Sequence, residues 1–102
     1  MAQVVWSEAA LSDLHEVLAY AAEQQLDFVA LSQRLLDKSD LLVDQPQLGW
    51  KIPEFDRDDI REVFVHPYRL IYQVDENPCT VVAVVHASRN LLGSDFLKRF
   101  DA

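Results

Sequence analysis

With 102 residues, half of them hydrophobic and a quarter charged, the chain is sized for one soluble domain that needs no disulfide or metal staple. Its formal charge of −8 argues against gripping duplex DNA or RNA through a broad phosphate-neutralising surface. The single cysteine, Cys79, excludes an internal disulfide, and neither a signal-peptide pattern nor a membrane-length apolar run occurs, so a cytoplasmic location is expected.

The elements follow in chain order. Gln3–Trp6 is a short apolar run suited to a strand. Ser7 is the expected N-cap of a first helix, with Glu8 favourably placed in its opening turn. Leu11, Leu14, Leu18 and Ala21 recur at helical spacing while Glu8, Ser12, Asp13, Glu16 and Glu23 fall elsewhere. That pattern predicts an amphipathic helix of about four or five turns. Asp27 caps a second helix whose apolar stripe is Phe28, Leu31, Leu35 and Leu42, stopped by Gln45 and Pro46 with Gly49 just beyond. So short a connection, Gln24-Gln25-Leu26-Asp27, makes the pair an antiparallel hairpin.

Residues 46–59 carry no helix or strand periodicity and form a long, acid-rich connection of the kind that often carries function. Three runs rich in β-branched and aromatic residues follow: Ile60–Val65, Tyr68–Val74 and Thr80–Val85. Pro67 lacks an N–H and belongs at the first reversal, and Asp75-Glu76-Asn77-Pro78 marks the second, so the runs form an antiparallel meander. Both alternating sets of the third run are mostly apolar, which places it inside the sheet, with the N-terminal strand as the far edge of four. Ser94–Phe100 suits a short C-terminal helix with Phe96, Leu97 and Phe100 on one side. The expected fold is α+β in one domain over residues 1–102: a two-helix hairpin on an antiparallel sheet, in the order β-α-α-β-β-β.

Charge is unevenly spread. Residues 1–50 hold two cations against eight acids, and residues 51–102 hold seven against nine. Arg61, Arg69, His86 and Arg89 therefore stand out on or beside the meander. Each also has a bland explanation. Arg61 beside Glu62 suits a cross-strand charge pair of small worth. Arg69, in mid-sheet, needs a partner or a ligand. A strand-end histidine such as His86 often only donates to a backbone carbonyl. Glu54 reads first as a solvated loop acid. Tyr68 and Tyr72 share a strand face and suit packing with their hydroxyls on polar partners. His15, His66 and His86 lack metal-ligand spacing, Cys79 has no neighbouring base, and no glycine-rich phosphate loop exists, so no cofactor is expected.

Several pieces, in this order and spacing, resemble the RelE/ParE superfamily of bacterial type II toxins. They are Val5-Trp6-Ser7-Glu8-Ala9-Ala10 with Asp13-Leu14, then Pro46-Gln47-Leu48-Gly49 and Ile52-Pro53-Glu54. The most specific are Ile60-Arg61-Glu62, Pro67-Tyr68-Arg69-Leu70-Ile71-Tyr72 and Val85-His86-Ala87-Ser88-Arg89. The resemblance implies a plasmid-stabilisation type of toxin, held in a hetero-oligomer by a cognate antitoxin.

Two branches imply two targets. A ParE-like protein inhibits DNA gyrase by protein contact, without catalysis. A RelE-like protein cuts mRNA on the ribosome without a metal, and would then use Arg61 and Arg69 on the phosphate, His86 as acid or base, and Glu54 and Arg89 in weaker roles. Ala87-Ser88-Arg89 departs from the His or Tyr that the nucleases tend to carry near the C-terminus, and the chain is acidic with no lysine-rich loop. The ParE-like reading is therefore preferred, with the endonuclease as its alternative and a non-toxic antitoxin-binding member as a third. Trp6, Leu11 and Leu18, with Arg89, Lys98 and Arg99, are the expected contacts to target or antitoxin, by an added strand or an amphipathic helix. No membrane contact is expected.

Overall fold

A computed structural model describes residues 4–74, 79–92 and 95–100. The order is β1 (Val4–Trp6), α1 (Glu8–Glu23), α2 (Phe28–Leu41), β2 (Trp50–Lys51), β3 (Ile60–Val65), β4 (Tyr68–Gln73), β5 (Cys79–His86) and a 3₁₀ helix at Asp95–Arg99. The sheet has five strands in the order β1-β5-β4-β3-β2. Its meander is antiparallel as expected, with Pro67 in the turn between β3 and β4. Gln3, the 75–78 turn and Ser94 lie outside the described residues.

Three expectations are corrected. The sheet is mixed, because β1 runs parallel to β5. It has a fifth strand, since Trp50 and Lys51, inside the connection read as aperiodic, pair with Glu62 and Arg61 and form the edge opposite β1. Two residues are too few to show a period, so pattern could not find them. The second helix stops at Leu41, before Gln45 and Pro46.

Both N-caps stand where the sequence places them. The Ser7 side chain accepts from the Ala10 amide and the Asp27 side chain from the Ala30 amide, each relieving one orphan donor of the first turn. The hairpin turns without glycine because Gln25 itself takes the left-handed conformation, at φ 58°. The buried stripe of α1 is rotated from the expected one: Ala10, Leu14, Val17 and Ala21 face the sheet, while Leu11 is half exposed to solvent. Alanines at 10 and 21 leave room for the helix to lie close on β5.

Two cores result, one on each face of the sheet. Beneath the helices lie Ala10, Leu35, Leu42, Val63, Leu70, Tyr72 and Val81. On the far face Ile52, Phe55, Ile60, Ile71 and Val85 are covered by the C-terminal segment through Phe96 and Phe100, whose rings pack edge-to-face at 5.6 Å. A register shift opposite Ile71 and Tyr72 makes β5 serve both. Val81 and Val84 face the helices, while Val82 and Ala83 both join the far core, an alternation that a bulge permits and a regular strand does not.

The edge of β5 beyond β1 is finished by side chains. The Asp13 carboxylate accepts from the Val84 amide at 3.1 Å, and Arg99 donates to the Val82 carbonyl at 3.0 Å. Asp13 and Arg99 are also paired with each other, at 2.6 and 3.2 Å. Carboxylate and guanidinium thus stand in for the backbone of a neighbouring strand.

The connection to β2 is pinned from the sheet. Fully buried Tyr72 accepts from the Gly49 amide at 2.8 Å and donates to the Pro46 carbonyl at 2.9 Å. A Cβ at Gly49 would lie 2.5 Å from the Glu62 carbonyl oxygen and 2.6 Å from the Tyr72 hydroxyl, so close an approach requires glycine. Tyr72→Phe leaves two backbone groups unpaired, and equilibrium urea unfolding should show a loss of about 1–3 kcal/mol.

Candidate functional site

Arg69 is the second residue of β4, the central strand of the sheet, and points to the tail-covered face, where its guanidinium meets two carboxylates. The Nε group donates to Glu62 Oε1 at 2.8 Å. Nη1 donates to Glu54 Oε2 at 2.9 Å and to the Arg89 carbonyl at 3.1 Å. Nη2 donates to Glu54 Oε1 at 2.8 Å and Glu62 Oε2 at 3.2 Å. A guanidinium has five N–H donors, and all five are taken within the chain. Only 5% of the Arg69 side chain, 4% of that of Glu62 and 13% of that of Glu54 remains exposed.

Geometry brings the three together by two routes. Glu62 pairs with Ile71, and Phe64 with Arg69, so Glu62 and Arg69 are diagonal neighbours on one face of the β3–β4 hairpin. Glu54 arrives from the connection, held in place because Ile52 and Phe55 on either side of it are buried in the far core. The Leu91 amide adds a bond to Glu54 Oε2 at 3.3 Å. The bond from Arg69 pulls the Glu54 carboxyl below its ordinary range, against an opposing effect of desolvation. The same paired carboxylates raise the affinity of Arg69 for its proton.

The sequence-flagged trio Arg61, Arg69 and His86 does not form one constellation. Arg61 is opposite Tyr72, on the helical side of the sheet, and donates to the Asp58 carbonyl at 3.1 Å and the Gly49 carbonyl at 3.0 Å. It fixes the connection and does not pair with Glu62. His86 is opposite Tyr68, whose ring it meets edge-to-face at 5.9 Å, and its Nδ1 lies 2.7 Å from Ser88 Oγ. Tyr68 and Tyr72 are four residues apart on β4, about 13 Å of strand. Arg69 is on the opposite face from both. Glu54, read from sequence as a solvated acid, is instead clamped on Arg69.

The expected contact residues are dispersed as well. The Trp6 indole donates to Ser39 Oγ at 3.0 Å, Leu18 is half-buried, and Leu11 and Lys98 are exposed. Arg99 is committed to Asp13 and lies 5.1 Å from the Phe96 ring. The Arg89 side chain is exposed and makes no hydrogen bond or ion pair among the described residues. Two openings frame this region. A cavity of about 410 Å³ opens on the Arg69 clamp, with Pro53, Phe64, Ser88 and Asn90 in its wall. A groove of about 540 Å³ runs between α1 and the ends of β4 and β5, past Val17, Tyr20, Leu26, Tyr68 and His86.

Residues 4–91, most of the chain and including both helices and the whole described sheet, match the family model of the ParE toxin of type II toxin-antitoxin systems, parDE. The chain belongs to the ParE toxin family. A solved chain of the chromosomal ParDE TA system from P. aeruginosa shares the fold, with a TM-score of 0.69 over 86% of this chain and 98% of that one, at 14% identity. No curated protein matches at a significant level. Among the described residues no helix is long and apolar enough to cross a membrane.

In this ParE-family chain, Arg69→Met strands two carboxylates in an apolar setting and should cost about 3–5 kcal/mol in urea unfolding. The depressed Glu54 carboxyl implies a pH signature. Its contribution to stability is complete above the unfolded carboxyl value of about 4.3 and is lost as pH falls through the lower folded value. The stability gap between wild type and Glu54→Gln should therefore be constant from pH 7 to about 5 and close at lower pH.

Proposed function

We propose that this chain is a toxin that acts by protein contact, inhibiting DNA gyrase, and that a cognate antitoxin neutralises it. The carrying observation is the saturated guanidinium of Arg69. A cation that stabilises a phosphate in RNA cleavage must have donors free to meet it, together with a nearby acid and base. Arg69 spends all five donors inside the chain, and Arg61 and His86 stand on the other face of the sheet. The formal charge of −8 supports the same reading, since a protein partner tolerates it better than an RNA would.

Membership of a toxin family whose systems pair toxin with antitoxin supports an antitoxin partner. The groove beside α1 offers apolar lining for such a segment. With an acidic toxin, that segment should be less acidic than a basic toxin would demand. Isothermal titration in 50 and 500 mM salt should show weaker binding at the higher salt; an affinity indifferent to salt removes the electrostatic contribution.

Induction in cells, followed by labelled thymidine and labelled amino-acid incorporation, tests the target. DNA synthesis should fall first, with filamentation, and purified toxin should inhibit supercoiling by purified gyrase. Early arrest of translation with cuts in ribosome-bound mRNA would establish the endonuclease instead.

A further inference from the structure

We infer that the toxin engages its target through the tail-side face of the sheet at the β2–β3 edge, centred on Phe64 and including Trp50 and Arg89, and that the occupant is an extended, acidic and apolar protein segment. This rests on the reading of the chain as a toxin that works by protein contact.

Trp50 and Phe64 are among the large apolar side chains left in solvent, 74% and 54% exposed. The strand pairing puts them together. Trp50 is opposite Glu62 and Phe64 opposite Arg69, so both rings project from the face that carries the Arg69 clamp, on neighbouring strands. Aromatic side chains beside an arginine are the groups that most often dominate protein–protein binding energy.

The charges around Phe64 run against those of the whole chain. Phe64 lines the 410 Å³ cavity over the clamp, whose rim carries Arg89, and a second cavity of about 410 Å³ whose wall includes Arg34, Lys38 and Asp37. With the clamp included, Arg34, Lys38, Arg69 and Arg89 face Asp37, Glu54 and Glu62, four cations against three acids, so the surface around Phe64 is locally positive on a molecule of charge −8. Arg89 is not committed to any described residue. The complement is a segment that supplies carboxylates to Arg89 and to Arg34 or Lys38 and an apolar side chain to the Trp50–Phe64 surface. Three cations are few for a phosphate backbone, which decides for protein over nucleic acid.

The edge also offers a backbone rung. β2 covers β3 only at Arg61 and Glu62, and the peptide groups of Phe64 point the same way as those of Glu62, beyond the end of β2. No described strand lies beside them. An extended segment can add there while the clamp beneath, with every donor of Arg69 satisfied, keeps the face rigid. The groove beside α1 lies on the helical side of the sheet and meets this surface only at Arg89, which lines both.

The test uses full-length toxin with Phe64→Ala, Trp50→Ala and Arg89→Glu, and Val29→Ala on α2 as an exposed apolar control, each checked for unchanged thermal unfolding. Graded induction measures the toxin level that halves growth rate. The level required should rise at least tenfold for Phe64→Ala and Arg89→Glu, severalfold for Trp50→Ala, and not at all for Val29→Ala. Full toxicity in the folded variants overturns the assignment, as does an equal loss in Val29→Ala or a wild type that does not slow growth. Supercoiling by purified gyrase is measured in parallel. Wild type that halts growth without inhibiting gyrase removes the gyrase reading, while the growth series still decides this surface. Binding of a labelled single-stranded RNA that Phe64→Ala abolishes overturns the protein occupant.

Discussion

The structure depends on one buried charge and how it is satisfied. Arg69 sits in the centre of a sheet covered on both faces, where an unpaired guanidinium would be prohibitive. Glu62 lies one strand away on the same face, and Glu54 is drawn from the connection to complete the set. The arrangement does more than neutralise. It ties the β3–β4 hairpin, the connection before it and the segment after β5 to a single planar group, since the Arg89 carbonyl and the Leu91 amide are bonded in the same cluster. Three pieces far apart in sequence thereby acquire one relative position. Whatever the tail-side face binds, it presents a surface with little freedom to adjust.

Division of the sheet into two differently covered faces follows from the same region. The helical hairpin covers one face with aliphatic side chains, and the C-terminal segment covers the other with Phe96 and Phe100. β5 is apolar on both sides because it lies between the two cores, and its bulge distributes four consecutive apolar residues between them. Acidic charge collects on the helical half, while the exposed Arg89 stands beside the Arg69 clamp. A small protein thus carries two surfaces of different character on opposite sides of one sheet.

Much of this was legible in the sequence, because the signals were local and periodic. Ser7 and Asp27 announced their caps, Pro67 its turn, and the third run its interior place. The Arg69–Glu62 contact follows from a hairpin that turns at Pro67, which makes residues 62 and 69 diagonal neighbours, yet in sequence Glu62 reads as the partner of Arg61 instead. The rest failed for physical reasons. Glu54 reaches Arg69 from a stretch without periodicity, positioned by the burial of Ile52 and Phe55, and nothing in a neighbouring pattern points to it. Trp50 and Lys51 form too short a strand to alternate. The stripe of α1 was read from its leucines, whereas close packing on β5 chose Ala10 and Ala21. Arginine rank as a functional suspect rested on the need for a partner, and the chain supplied that partner itself.

Asp13 and Arg99 close the free margin of β5, and they are 86 positions apart. On a translating ribosome the carboxylate emerges long before its counterpart. Once β5 (Cys79–His86) has emerged, Asp13 is already at hand for the Val84 amide, but the Val82 carbonyl waits for Arg99 and can meanwhile take up an extended segment. The interval before Arg99 arrives is when this margin is least self-sufficient and most open to pairing with another strand.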